Sequence, residues 1–222
     1  MARGRCLALQ VGDEMPNFTA DTTVGRLSYH DMIDGVWSVL VSFPPKSDAV
    51  ATTEMGQLSK LMSDFEARNV RVFGLSCNTA DRHRETITDV EELEDCKVNF
   101  PIIADADAHV AGLLGLVRHG AESAIHALLP ATLIVVCDID QRIRLTMQTS
   151  HKTGRNFYEL LRAIDAMQLT LFHQVATPAG WAEGGDVLVH PKLSNVAARS
   201  LFPKGVVETK PWYRSTPQPD LA

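Results

Sequence analysis

The amino-acid sequence predicts an α/β fold followed by a small, separate α+β domain. Short apolar runs of the kind found in buried strands alternate with segments whose apolar residues recur at helical spacing. After residue 169 the composition changes, because prolines and glycines become frequent. One short strand is predicted in this region, at Val187–Val189. We therefore expect an α/β domain at residues 1–169 and a C-terminal domain at residues 170–222.

The first strong strand and the helix after it lie between residues 39 and 65. Val39–Val41 is an apolar run suited to a covered strand, and the two prolines that follow end it because proline cannot donate to a sheet ladder. From Thr52 onward the apolar residues fall at helical spacing. We expect Thr52 or Thr53 to cap the first turn, with Glu54 near the positive end of the helix.

The remaining elements of the first domain continue this alternation. Ile87, Val90 and Leu93 are expected to point inward from a charged helix. Ile143–Met147 alternates in a way that is typical of an edge strand. The other predicted elements are buried strands at Val70–Leu75 and Thr132–Cys137, an extended segment at Phe100–Ile103, helices at Asp81–Cys96, Ala108–Leu114 and Asn156–Leu169, and a loop at residues 118–128.

Composition narrows the possible functions. The chain has 222 residues and a formal net charge of -6, which argues against nucleic acid as its main partner. No apolar run approaches the roughly 20 residues that a membrane helix needs. The eight histidines are scattered and are expected on the surface.

The four cysteines, Cys6, Cys77, Cys96 and Cys137, are dispersed along the chain. They form no CxxC pair and no cluster with histidine, so neither a metal site nor a cofactor is expected. Dispersed cysteines suit the cytoplasm or another reducing compartment. Cys77 and Cys137 adjoin apolar strands and are expected to be small core residues, whereas Cys96 lies in a charged helix and is expected to be more exposed.

The helix that follows the first strand offers a place for an anion at its N-terminus. Several thiol enzymes place a cysteine there, because the helix dipole and nearby cations stabilise the thiolate. This sequence has Ala51 at that place, and a methyl group provides no nucleophile, proton or lone pair. The question of function therefore turns on the absence of a cysteine at this position.

Val50–Glu54, with Pro44 upstream, resembles the active-site segment of the one-cysteine peroxiredoxins, the peroxiredoxin 6-like branch. In that family the segment reads Ser-His-Pro, then four residues, then Pro-Val-Cys-Thr-Thr-Glu. The resemblance extends over nearly the whole chain. The other segments that carry it are Leu9–Phe18, Asn69–Ser76, Phe100–Asp105, Leu113–Leu116, Thr153–Phe157, Gln168–Thr170, Val175–Pro178, Leu201–Gly205 and Tyr213–Pro219.

This resemblance implies both a fold and a mode of association. The fold would be thioredoxin-like, of the peroxiredoxin type, followed by the C-terminal domain of the one-cysteine branch. The resemblance also implies a homodimer, in which the edge strand near Leu145–Thr149 pairs across a two-fold axis and the C-terminal domain reaches over the partner. Family members reduce peroxides with a thiolate, a cation that holds it and donors that polarise the O–O bond.

The reactive positions of that family fall on residues that cannot do this chemistry. By the resemblance, the attacking cysteine corresponds to Ala51 and the histidine of Ser-His-Pro to Phe43. The hydroxyl donor and the proline after it correspond to Asp48 and Ala49, and the arginine that opens the third apolar strand corresponds to Thr132. A carboxylate about 4–6 Å from a thiol raises the pKa of that thiol instead of lowering it.

Three positions of the family's site are kept. Thr52 and Glu54 remain in the helix, and Arg155 remains in the Gly-Arg-Asn-Phe segment. Arg155 is expected to form an ion pair with Asp48 or Glu54, or else to bind an anion. No catalytic residue is predicted here, and we call the five replaced and three kept positions together the degenerate site.

The branch is also credited with a lipase-like activity that uses a serine near the start of the first strong strand. That serine corresponds to Val36, while His30 and Asp140 match its partner positions. A base without a nucleophile does no acyl transfer, so this site is interpreted as lost. Ser38 would lie on the same face of the strand as Val36 and is a weak alternative nucleophile.

Three hypotheses on function follow. The first is a catalytically inactive peroxiredoxin-like protein that serves as a structural or binding subunit of a larger assembly. The second is a residual thiol peroxidase that uses Cys96 or Cys77 instead. The third is a module that binds a small anion in the old active-site pocket, above Arg155. The apolar walls of that pocket would be Phe43, Ala49 and Ala51.

Overall fold

The computed structural model describes residues 9–46, 48–117 and 128–220 of the chain. Cys6 and nearly all of the loop expected at residues 118–128 therefore lie outside the described residues. No described helix is long and apolar enough to cross a membrane.

Backbone contacts divide the chain into two units, Met1–Arg155 and Asn156–Ala222. This division groups the helix at residues 157–172 with the C-terminal unit. From the sequence, the first domain is instead expected to include this helix and to end at residue 169. The boundary between the domains as folding units stays a prediction.

The first unit is built on one mixed β-sheet. Its strands are β1 (Thr19–Thr22), β2 (Gly25–Ser28), β3 (Trp37–Ser42), β4 (Val70–Ser76), β5 (Ile102–Ala104), β6 (Ala131–Cys137) and β7 (Ile143–Ser150). Its helices are α1 (Tyr29–Ile33), α2 (Ala49–Lys60), α3 (Met62–Ala67), α4 (Ala80–Glu94) and α5 (His109–Leu113).

Within the described ranges, these seven strands follow the order β2-β1-β5-β4-β3-β6-β7. β3 pairs in parallel with β4, with Val39 opposite Val72, and antiparallel with β6, with Leu40 opposite Val135. Every residue of β3 is buried, as its continuous apolar run predicts. The three predicted buried strands are confirmed, and they are neighbours in the middle of the sheet.

β7 lies at one edge of the sheet, antiparallel to β6. The edge strand predicted at Ile143–Met147 is therefore confirmed, and it continues to Ser150. No other strand in the described part of the chain pairs with its outer side. That side presents backbone N–H and C=O groups that can pair with another strand.

Two helical regions differ from their predicted form. The helix expected from Thr52 to Phe65 is divided at Leu61, where the backbone has φ -99° and ψ 5°. In α4, Val90 is fully buried as predicted, but Leu93 is 72% exposed. The prediction for Leu93 was wrong because the side chain of the next residue, Glu94, packs toward Gly56 of α2. Leu93 lies about 100° around the helix from Glu94 and therefore points away from α2.

Aromatic residues tie the first strands to the centre of the core. The rings of Phe18 and Tyr29 stack with their centroids 4.8 Å apart, and Tyr29 meets Phe73 of β4 edge-on at 5.1 Å. All three rings belong to one cluster of buried apolar residues. These contacts anchor the segment before β1 and helix α1 to the central strands.

The second unit contains α6 (Phe157–Phe172), β8 (Val175–Ala176), β9 (Val187–Val189), α7 (Asn195–Leu201), β10 (Val207–Lys210) and β11 (Tyr213–Thr216). Its described strands follow the order β10-β11-β9-β8. Asn156 caps α6 by accepting hydrogen bonds from the backbone N–H groups of Tyr158 and Glu159. The buried Trp181 donates from Nε1 to the carbonyl of Gly185 at 3.0 Å and belongs to the core of this unit.

Candidate functional site

Ala51 lies in the first turn of α2, where its side chain is 6% exposed. The N-cap residue of the helix is Asp48, whose backbone is extended with φ -143° and ψ 129°. Its carboxylate accepts a hydrogen bond of 3.1 Å from the backbone N–H of Ala51. The helix N-terminus therefore already holds a negative group that the chain itself provides.

The identity of this cap corrects the prediction, which named Thr52 or Thr53. α2 begins at Ala49, so both threonines lie inside the helix. Their hydroxyls donate to backbone carbonyls one turn earlier, Thr52 to Asp48 at 3.0 Å and Thr53 to Val50 at 2.7 Å. The apolar periodicity begins later than the helix because Ala49 is exposed and Val50 is only partly buried.

Arg155 and Glu54 form a bidentate ion pair in which both side chains are buried. Nε and Nη2 of Arg155 donate to the two carboxylate oxygens of Glu54 at 2.8 and 2.5 Å. The backbone N–H of Arg155 donates to the same carboxylate at 2.8 Å, and Nη1 donates to the carbonyl of Leu133 at 3.4 Å. Of the two partners expected for Arg155, the structure shows Glu54.

Phe43 and Thr132 are also packed into the surroundings of this pair. The ring centroid of Phe43 lies 5.4 Å from the guanidinium carbon of Arg155, which is a cation–π distance. Thr132 lies opposite Thr149 across the β6–β7 pair, and the two hydroxyls are 3.2 Å apart. Both side chains are buried.

Two small cavities lie beside described residues of the degenerate site. One, of about 20 Å³, lies beside Ala51 and Asp48, and the other, of about 50 Å³, lies beside Phe43. Arg155 lines neither cavity. The predicted pocket with Arg155 at its floor is therefore not formed by the described residues, because Glu54 and Phe43 cover the guanidinium. Cavities of this size hold one or two water molecules.

His83 lines the cavity beside Ala51, which corrects the expectation that all histidines lie on the surface. It is 2% exposed, and its Nε2 lies 3.3 Å from the carbonyl oxygen of Ser76. Burial lowers the pKa of His83 from its usual 6.5, which favours the neutral ring. Its spacing could have revealed it, because His83 precedes the buried Val90 by two helical turns.

An open groove of about 400 Å³ adjoins the first turn of α2 and the outer face of α4. Ala49, expected in the old pocket, lines this groove instead. The surface is acidic and includes an exposed leucine. The residues that line the groove are Asp48, Ala49, Thr52, Asp89, Glu92 and Leu93.

The described cysteines, Cys77, Cys96 and Cys137, are free thiols. Burial and the neighbouring carboxylate of Asp105 raise the pKa of Cys77 to about 12, and burial raises that of Cys137 to about 12. Cys77 lines the cavity beside Phe43 but not the one beside Ala51. Cys96 is partly exposed, just beyond the C-terminal end of α4.

Among the described residues, no group of three or more His, Cys, Asp or Glu side chains could hold a metal ion.

The positions of the lipase-like site do not form a hydrogen-bonded triad. Nε2 of His30 lies 2.6 Å from the carbonyl oxygen of Met15, and Asp140 is exposed in the turn between β6 and β7. Val36 offers no nucleophile. Ser38 is fully buried in β3, which keeps its hydroxyl away from any substrate.

Comparison with known families matches both units of the chain. Residues 11–144 match the AhpC/TSA family, and residues 166–205 match the C-terminal domain of 1-Cys peroxiredoxin. The chain therefore belongs to the AhpC/TSA family, in its 1-Cys peroxiredoxin branch.

Individual relatives cover nearly the whole chain. The 1-Cys peroxiredoxin of Dictyostelium discoideum is 37% identical over 212 residues, which cover 96% of this chain and 86% of the relative. Peroxiredoxin-6 of Gallus gallus is 38% identical over 221 residues, which cover 96% of this chain and 99% of the relative. The resemblance inferred from the sequence motifs is thus confirmed.

Solved structures show the same fold. A cysteine-to-serine mutant of peroxiredoxin 6 from Arenicola marina matches with a TM-score of 0.86 at 36% identity, covering 96% of this chain and 100% of that chain. A yeast mitochondrial 1-Cys peroxiredoxin matches with a TM-score of 0.85 at 36% identity, covering 94% and 99%. The predicted thioredoxin-like fold of the peroxiredoxin type, with a C-terminal domain, is confirmed.

Proposed function

We propose that this chain is a catalytically inactive peroxiredoxin that serves as a structural or binding subunit of a larger assembly. The observation that carries the proposal is Ala51, which occupies the first turn of α2 where the resemblance puts the attacking thiol. Peroxide reduction by this family's chemistry requires a thiolate that is oxidised to a sulfenic acid. Without sulfur at that position this reaction has no starting group.

The residues around Ala51 support the proposal because they are paired with one another. The guanidinium of Arg155 is bound by Glu54 and covered on one face by Phe43, so it offers little to a thiolate or a peroxide. The carboxylate of Asp48 at the helix N-terminus would repel a thiolate placed there. Restoring a single residue would therefore not rebuild the reaction.

Peroxide consumption tests the proposal directly. The full-length protein is mixed with hydrogen peroxide and dithiothreitol, with an active 1-Cys peroxiredoxin as the positive control. We expect consumption no faster than with dithiothreitol alone, before and after alkylation by iodoacetamide. Turnover that alkylation abolishes would overthrow the proposal.

The subunit role is supported by the free outer edge of β7. We infer that the stretch near Leu145–Thr149 pairs with a second copy across a two-fold axis, and that the C-terminal domain reaches over this partner. Light scattering should then give twice the chain mass of 24.4 kDa. Met147→Arg on β7 should yield monomers, whereas Arg26→Glu on β2, at the opposite edge, should not. A monomeric wild-type protein would contradict this inference.

The alternative function is a residual thiol peroxidase that uses Cys96, which is partly exposed. Cys77 is a poor candidate because its raised pKa keeps the thiol protonated at neutral pH. Dimedone should trap a sulfenic acid at Cys96 after peroxide is added, and Cys96→Ser should remove the adduct. An unchanged intact mass excludes this alternative. Free thiols suit the reducing compartment in which we propose that the protein functions.

A further inference from the structure

The C-terminal unit contains a cavity of its own, apart from the degenerate site. Its volume of about 340 Å³ lies within the range of roughly 300–1,000 Å³ that small-molecule sites occupy. The end of α6, the end of α7 and the segment after β11 line it. All of these residues belong to one compact unit.

The walls of this cavity combine polar and apolar side chains, and two of the apolar ones are partly uncovered. Phe172 and Leu201 are 60% and 49% exposed, whereas Phe202, which also lines the cavity, is 4% exposed and belongs to the core of the unit. Three of the described prolines are also lining residues. Because proline fixes φ, this part of the wall is formed before any ligand binds, which lowers the entropy cost of binding.

One ammonium group stands at the cavity. Nζ of Lys204 donates to the carbonyl of Gln218 at 3.0 Å and to the carboxylate of Asp220. The side chains of Lys204 and Asp220 are 42% and 87% exposed. An exposed ion pair of this kind contributes little to stability, because water screens it. Another carboxylate can therefore take the place of Asp220 at small cost.

We propose that this cavity binds small carboxylates that carry an apolar body. The ligand carboxylate replaces that of Asp220 on Lys204, and the apolar body covers Phe172 and Leu201. A molecule with both groups gains the burial of apolar surface as well as the ion pair. An anion without an apolar body gains only an exchange of partners, and Asp220 acts as an internal competitor for the ligand.

A series of three probes separates these contributions. Phenylacetate carries both groups, phenylacetamide lacks the charge and acetate lacks the apolar body. Titration calorimetry with the full-length protein should show saturable binding of phenylacetate, binding of phenylacetamide that is weaker by about two- to fivefold, and no saturable binding of acetate. Absence of phenylacetate binding, or equal affinity for its amide, would overturn the proposal.

Three variants assign the site. Lys204→Met should weaken phenylacetate binding by about two- to fivefold, because the cation is lost. Asp220→Asn should strengthen it several-fold, because the internal competitor loses its charge. Lys192→Met changes an exposed lysine of the same unit that does not line the cavity, and it should leave the affinity unchanged.

The two charge variants change the affinity in opposite directions, which general destabilisation of the unit does not explain. If Lys204→Met fails to fold, Asp220→Asn decides the matter alone. Tighter binding then supports the proposal, and unchanged or weaker binding overturns it. This cavity is independent of the degenerate site, so a peroxidase activity found in the protein would not affect the result.

Discussion

Glu54 accepts three hydrogen bonds from Arg155, from Nε, Nη2 and the backbone N–H, although the two residues are 101 positions apart in the chain. The pair joins α2 to the segment that follows β7. Both side chains are buried, so each charge is compensated mainly by the other. The ion pair therefore acts, in this chain, as a connection inside the core.

Breaking this pair should be costly. Arg155→Met should lower the free energy of unfolding by about 3–5 kcal/mol, because Glu54 stays buried without a partner. Adding Glu54→Leu should recover most of the loss, since no charge is then buried. Urea unfolding measures both effects. Glu85→Ala, which breaks the exposed Arg82–Glu85 pair, is the control and should cost less than about 1 kcal/mol. A similarly small cost for Arg155→Met would contradict the structural role.

Restoring sulfur alone should not create a reactive thiol. The carboxylate of Asp48 accepts the backbone N–H of residue 51 at 3.1 Å, so a cysteine introduced by Ala51→Cys would lie beside a negative charge. We expect Ala51→Cys combined with Asp48→Thr to react with iodoacetamide at neutral pH about tenfold faster than Ala51→Cys alone, since one pKa unit is a factor of ten in thiolate. Mass spectrometry of the peptide that contains residue 51 gives both rates across pH. Identical pH profiles would show that Asp48 does not act on this position.

Gly56 allows α4 to pack closely against α2. A Cβ atom added at Gly56 would lie 2.4 Å from Cγ and 2.6 Å from Cβ of Glu94, which is too close for real atoms. Gly56→Ala should therefore destabilise the protein by about 1–3 kcal/mol, although alanine favours a helix. Gly112→Ala in α5 is the matched control, because the added methyl meets nothing within 4 Å, and it should stabilise by about 0.4–1 kcal/mol. Thermal unfolding compares the two, and a gain in stability for Gly56→Ala would refute the close contact.

The buried strands could be predicted because a short continuous apolar run is typical of a strand that is covered on both faces of the sheet. β3, β4 and β6 were found from such runs, and the edge position of β7 from its alternation. The orientation of α4 could not be found in the same way. Its inner face includes His83, a polar residue, and excludes Leu93, an apolar one, so counting apolar residues rotates the helix incorrectly.

The set of positions that make up the degenerate site stays a prediction, and the contacts between these residues could not be predicted from the sequence. Its residues follow from the motif, whereas their contacts depend on how the loop after β3 meets α2. The carboxylate of Asp48 is taken by the N–H of Ala51, which leaves Glu54 as the partner of Arg155. The ring of Phe43 then covers the guanidinium, and no pattern in the sequence reports that contact.

The cysteines should differ widely in reactivity. With a pKa of about 12, the thiolate fraction of Cys77 at pH 8 is about 10⁻⁴, and Cys137 combines the same pKa with complete burial. Iodoacetamide should therefore modify Cys96 well before Cys77, and Cys137 only after unfolding. Time-resolved peptide mass spectrometry at pH 8 gives the order. Early modification of Cys77 would mean that Asp105 and burial do not suppress its ionisation.

His83 should make the stability of the protein depend on pH. Burial lowers its pKa in the folded state below 6.5, so the unfolded chain binds the proton more readily. The free energy of unfolding should therefore be highest above about pH 7 and should fall as the pH drops through 6.5 toward the lowered pKa. His83→Gln removes this linkage, so the difference between wild type and variant should shrink from about pH 7.5 to about pH 5.5 in urea unfolding. Asp105, whose raised pKa acts in the opposite direction at lower pH, is present in both proteins and cancels in that difference. A difference that stays constant with pH would mean that the buried ring accepts its proton as easily as an exposed one.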